Sequence, residues 1–255
     1  LQATLSSCTG SVEITAVCLS IAGMDNDTLL GWPANWVQRL LPKAAVIVAD
    51  SFEIALVGAH GKRRGIILKA DTATVAYGIN HRGAISQVGG WGYDHQHSGG
   101  HKIGQSALRL LIEQQAHLHG EDLIFAERML TALGLSSLDQ AQPLAYQHSN
   151  EHMAQLAKLS PIVLDEAHQG NPYALEIVVQ TAHTLNNLAE ALVPSMSMFS
   201  PPIAFSGYLL SRPNPLSCMV QRLLGLPHFP KPLYPPVIGA AFLAQQSYHD
   251  VARAS

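Results

Sequence analysis

From Glu13 to Gly23 the chain reads EITAVCLSIAG, mostly apolar, rich in β-branched residues and bounded by Gly10 and Gly23. That pattern predicts a buried strand. A helical spacing runs from Asp25 to Leu41, with an interruption near Pro33. AAVIVAD, Ala44 to Asp50, predicts a second buried strand, and SFEIALVGAHG a helix closing near Gly61. Asp50 to Glu53 has the spacing of a capping box. Strand, helix, strand, helix implies a parallel α/β layer.

The rhythm changes at Lys62-Arg63-Arg64-Gly65, which marks a hinge between lobes. GIILKA, ATVAYGI and GAISQVGG are short strands, the last two joined by the turn-like NHRG, and together they predict an antiparallel meander. Helices are expected over Ile103–Leu118 and Asp122–Leu133, separated by Gly120. Pro172 opens the clearest helix. On it Ala174, Ile177, Val178, Thr181, Leu185, Leu188 and Leu192 recur on one face. PIAFSG, Pro202 to Gly207, is a short strand, and PPVIGAAFLAQQ a terminal helix entered through Pro235-Pro236.

Composition narrows the function classes. The 255 residues are 47% hydrophobic, enough for a sizeable core, yet only 13% charged, about half the usual share. A net charge of −3 gives no basic field for nucleic acid. No apolar run reaches the roughly 18–20 residues of a membrane span. Cys8, Cys18 and Cys218 have no metal spacing and cannot all pair with one another. Cys18 reads as a buried thiol and the chain as a protein of the reducing cytoplasm.

Four stretches can carry chemistry. Asp50 ends a predicted buried strand, where parallel α/β proteins place ligands, and its carboxylate can accept a proton from a substrate hydroxyl. The plainer role for the same residue is a helix N-cap, and the two can coexist. ADTATVAYG, Ala70 to Gly78, is a hairpin whose backbone N–H groups and Thr hydroxyls suit a phosphate, although most such hairpins only turn the chain. FSGYL has a glycine just after a strand, at Gly207, where backbone can approach a flat or anionic ligand, or simply turn. His95, His97 and His101, with Asp94, could bind zinc in principle. No second cluster and no Cys ligand stands near them, so no metal site is assigned.

In order, VADSFEIALVGAHG, VAYGINHRGAISQVGGWGY, SPIVLDEAHQGNPYALEIV and PPVIGAAFLA resemble the N-acetylglucosamine kinases and the BadF/BadG/BcrA/BcrD-type ATPases. The resemblance spans nearly the whole chain. It implies an α/β, two-lobed actin-like and hexokinase ATPase fold (ribonuclease H-like) with its first lobe incomplete. Residues 1–62 with the helix 236–255 would be the remnant of that lobe, and 63–235 the second lobe. The implied reaction is ATP- and Mg²⁺-dependent phosphoryl transfer to an amino sugar such as N-acetylglucosamine. By the resemblance Asp50 is the catalytic base and contacts the sugar, and Thr72 and Gly207 are nucleotide-binding. Thr74, Val75, Gly90, Trp91 and Gly92 lie on the sugar side, and Asp25 matches an acid near the cleft.

Departures from the family pattern point to impaired activity or to a non-catalytic relative that binds sugar or nucleotide, or acts as an interaction scaffold. The first phosphate loop, an Asp followed by glycines and a Thr, is absent. Asp71 and Ala73 flank Thr72 where the pattern has glycines, and a carboxylate facing a triphosphate is repelled. The D-E-G-S acid box becomes DHQHSGG, with His95 at its second acid. A further activity of the family, activation of a radical dehydratase through an iron–sulfur cluster, needs an arrangement that the three cysteines do not show. If complete, the chain is expected to be marginally stable or to form a homodimer, because lost strands would leave sheet edges open.

Overall fold

The structure is a computed structural model and describes residues 13–21, 28, 31–72, 74–90, 99–147 and 150–254. Chain contacts divide it into two compact units. One comprises the described residues up to Arg63 with those from Leu233 onward, and the other is Arg64–Pro232.

In the first unit, β1 (Ala16–Leu19) pairs in parallel with β2 (Ala45–Val48), from Ala16↔Ala45 to Leu19↔Val48. Helix α1 (Trp32–Leu40) packs on β2. Pro33 stands in the first turn of α1, where a proline forfeits no helical bond. Both strands are half-buried rather than buried as read, because a two-stranded layer leaves each described strand with an unpaired edge. Cys18 is accordingly half-buried too.

Helix α2 (Ser51–His60) is capped by Asp50, whose Oδ1 accepts the Phe52 N–H at 2.6 Å, and ends at Gly61 in the left-handed region (φ 63°). Glu53 does not close a capping box. Its carboxylate instead receives the Arg63 Nε–H, an ion pair that satisfies a buried acid. Helix α10 (Pro236–Ala254) packs on α2 and on both strands. The segment entering it is pinned by Leu233 N–H to Ala59 O and Tyr234 N–H to Gly58 O, each 3.0 Å.

The second unit holds a four-stranded sheet in the order β5-β4-β3-β6. Strands β3 (Gly65–Ala70), β4 (Thr74–Ile79) and β5 (Ile85–Gly89) form the antiparallel meander. Strand β6 (Ile203–Ser206) joins β3 in parallel. Helix α3 spans Gly100–Glu113, three residues earlier at its start than the periodicity suggested. Its glycine-rich first turn masks the pattern, and beyond Gln114 the chain tightens into a 3₁₀ turn, Gln115–His117. Helix α4 is Glu121–Leu133. Helices α5 (Leu138–Tyr146), α6 (Asn150–Ala157) and α7 (Ser160–Gln169) follow.

Helix α8 (Pro172–Leu192) buries all of the positions that the sequence assigned to its apolar face. Its cap is Asn171, whose Oδ1 accepts the Ala174 N–H and whose Nδ2 donates to Asp122 on α4, both at 3.1 Å. Asn171→Ala is expected to cost about 2 kcal/mol, from the lost cap and the lost hydrogen bond to the buried Asp122 Oδ1, whose Oδ2 keeps His119. A denaturant midpoint measures it. Helix α9 (Pro215–Leu223) completes the unit.

Candidate active site

In the first unit the candidate residue is Asp50. It stands two residues beyond the carboxyl end of β2, half-buried. Its Oδ1 is committed to the helix cap, and among the described residues no group bonds its Oδ2. The two sequence readings of Asp50 are therefore compatible: one oxygen holds the helix and the other can take a proton. Below it, burial first and the charge of Glu53 second push the Cys18 thiol up to about 11. At pH 7.5 the thiolate is then about a hundredfold scarcer than for an ordinary thiol, and nucleophilicity falls with it. Maleimide labelling of a Cys8→Ser/Cys218→Ser variant should be slow at that pH. Labelling at the rate of a free thiol would contradict this placement of β1.

In the second unit, three segments meet at the β3–β4 turn. The Gly100 N–H, the first residue of α3, donates to Asp71 O at 2.7 Å. His101 Nδ1 lies 2.6 Å from Thr72 O, and a carbonyl only accepts, so Nδ1 carries the proton. The Asp71 carboxylate accepts the Tyr208 N–H through Oδ1 at 2.8 Å and pairs with Lys69 Nζ through Oδ2 at 3.2 Å. The Leu209 N–H donates to Ala70 O at 3.2 Å.

Gly207 adopts φ 83°, and a Cβ there would lie 2.3 Å from Ala70 O and 2.7 Å from Asp71 Oδ1. Only glycine permits this approach. Phe205, fully buried just before it, packs edge-on against Phe229 and gives the turn a rigid base. The Tyr208 hydroxyl reaches over Gly100 to Ser160 Oγ at 2.8 Å. Ser160 spends its own proton on Ala157 O, so the phenol donates. Burial holds the Tyr208 hydroxyl above its ordinary range, and the Asp71 charge adds to this.

The structure thus brings Thr72, Thr74 and Gly207 to one end of the sheet. Thr74 is buried, and its Oγ1 has no hydrogen-bond partner among the described residues. Val75 is paired with Gly89, and a Cβ on Gly90 (φ 78°) would touch Val75 Cγ2 at 3.0 Å, so these two predicted sugar-side residues adjoin. Trp91, Gly92, Asp94, His95, His97, Ala73, Asp25 and Cys8 lie outside the described residues. Of the His group only His101 is described, and it serves the turn. Tyr208 and Ser160 were not singled out from the sequence. Nothing local marks them, because their partners are 48 residues apart in the chain.

No family model matches the chain. The N-acetyl-D-glucosamine kinase of Dictyostelium discoideum is 24% identical over 247 residues, covering 92% of this chain and 77% of the relative. The N-acetylmuramic acid/N-acetylglucosamine kinase of Clostridium acetobutylicum is 27% identical over 222 residues, covering 86% and 72%. The chain is homologous to N-acetylglucosamine kinases. Among solved structures, a protein of Chromobacterium violaceum provisionally assigned as an N-acetylglucosamine kinase superposes with a TM-score of 0.61. It is 24% identical, and the match covers 90% of this chain and 75% of that one. The fold is therefore the α/β fold of that solved structure. No described helix is long and apolar enough to cross a membrane.

Proposed function

We propose that this chain transfers the terminal phosphoryl group of ATP to a hydroxyl of an amino sugar of the N-acetylglucosamine class. The observation that carries the reading is the homology to N-acetylglucosamine kinases along most of the chain. The state of Asp50 supports it. A carboxylate with one oxygen that no described residue bonds, at the carboxyl end of a parallel strand, can accept the proton of the attacking hydroxyl. The sugar oxygen then bonds to the γ-phosphorus, the bond from that phosphorus to the β-bridging oxygen breaks, and ADP departs. Thr72 and the Gly207 turn would hold the nucleotide. Thr74, Val75, Gly90, Trp91 and Gly92 would line the sugar side. The buried hydroxyl of Thr74, without a partner among the described residues, suits this role, since a polar ligand atom would relieve an unpaired group worth about 1–3 kcal/mol.

Magnesium would enter with ATP, whose phosphates hold it alongside few protein oxygens. Among the described residues no group of three or more His, Cys, Asp or Glu stands together. Bound there, the ion would neutralise charge developing on the phosphates. The free cysteines Cys18 and Cys218 suit a reducing cytoplasm.

A second reading, a non-catalytic relative that binds sugar or nucleotide or acts as a scaffold, draws on Asp71 and Ala73 in the phosphate-side turn. Calorimetric titration with ATP–Mg²⁺, with and without N-acetylglucosamine, separates the two readings when ADP is assayed in the same samples. Sugar-dependent ADP release is the result expected of a kinase. A folded protein that binds ligand but releases no ADP would establish the second reading instead.

A further inference from the structure

Asp71 is the residue of the turn that fits a phosphate site least, yet its carboxylate does not stand free. Both oxygens are used inside the second unit, one by the Tyr208 N–H and one by Lys69. The same residue's carbonyl receives the Gly100 N–H, and its neighbour's carbonyl receives His101. Tyr208 continues the chain of bonds to Ser160 and, through the Ser160 hydroxyl, to Ala157 O. Asp71 is thus the junction of the β3–β4 turn, the start of α3 and the Gly207 turn.

We propose that Asp71 is a positioning residue that locks the β3–β4 turn to the Gly207–Leu210 turn, its charge spent on Tyr208 and Lys69 rather than presented to the nucleotide. The inference rests on the kinase reading for its functional consequence, but the lock itself is a property of the second unit alone. A glycine at position 71, as the family pattern has, would free the turn of this constraint and could not tie it to Tyr208. In this chain the carboxylate replaces backbone freedom with a fixed geometry. The charge argument against phosphate binding also weakens, because the Lys69 ammonium lies 3.2 Å away and a donated N–H spreads the remaining charge.

The variants Asp71→Asn and Asp71→Ala separate position from charge. Asn keeps an oxygen that can accept the Tyr208 N–H but carries no charge, whereas Ala keeps neither. Amide hydrogen exchange on the full chain reads the lock directly, and titration with ATP–Mg²⁺ reads its consequence. The lock predicts exchange at Tyr208 about tenfold or more faster in Asp71→Ala. It predicts KM or Kd for ATP raised by a similar factor, and Asp71→Asn close to the parent in both. Unchanged exchange at Tyr208 in Asp71→Ala would overturn the proposal. So would tighter ATP binding in both variants, which would mean that the carboxylate repels the nucleotide. If the parent itself binds no ATP, the kinase reading fails and the exchange contrast alone decides the lock.

Discussion

Asp50→Asn should lower sugar-dependent ADP release by about 10²–10⁴-fold while leaving the protein as stable as the parent. The two halves of that expectation come from the two oxygens of one carboxylate. Asparagine is as good an N-cap as aspartate, and its carbonyl oxygen can accept the Phe52 N–H as Oδ1 does now. The cap therefore survives and α2 stays in place. The amide cannot take a proton at the other position, so the attacking hydroxyl loses its base. Asp50→Ala loses both functions and should cost about 1 kcal/mol of stability in addition. The comparison is read from ADP release and from melting curves on the same preparations. Full activity in Asp50→Asn would remove Asp50 from the mechanism and leave it a cap alone.

Gly239→Ala should be the most damaging single change to the first unit. A Cβ at Gly239 would lie 2.0 Å from Ile54 O and 2.5 Å from Gly58 N, both backbone atoms of α2. On the facing helix, a Cβ at Gly58 would meet Pro235 O at 2.7 Å. The paired glycines let α2 and α10 cross with backbone nearly touching, and no flexible side chain stands there to move aside. Alanine gains about 1 kcal/mol in helix propensity, but overpacking of this kind costs about 3 kcal/mol or more. The net loss should lower the melting temperature by roughly 5 °C or more in a chain of this size. Helix α10 also packs on β1, so Cys18 should become quicker to label as the helix is pushed off. A Gly239→Ala protein with parental melting and parental Cys18 labelling would refute the close crossing.

What could be read in advance divides along a physical line. The apolar stripe of α8 was legible because a helix of 21 residues repeats its burial pattern over several turns. The meander was legible because short apolar strands are punctuated by turn residues. Helices α5, α6, α7 and α9 were not assigned. They are 8 to 10 residues long, α5 contains Pro143, and α7 follows α6 with only two residues between them. Over so few turns, periodicity gives little signal, and packing decides.

The candidate site divides in the same way. The strand-end place of Asp50 and the β3–β4 hairpin were identifiable because strand ends and turn residues are local features. The assignment of Asp71 as a charge turned toward phosphate was also local reasoning, and the structure redirects it. The Tyr208 amide that occupies its carboxylate lies 137 residues along the chain. The sequence by itself determined the order of elements, the apolar face of α8, the helix cap at Asp50 and the kinship with amino-sugar kinases. Those rest on periodicity, on residue-specific backbone preferences and on motif order. Only the tertiary structure decided where Asp71 spends its charge, which glycines mark a close approach of backbones and how deeply Cys18 is covered. Each of these depends on atoms brought together from distant parts of the chain, and no spacing between neighbours encodes them.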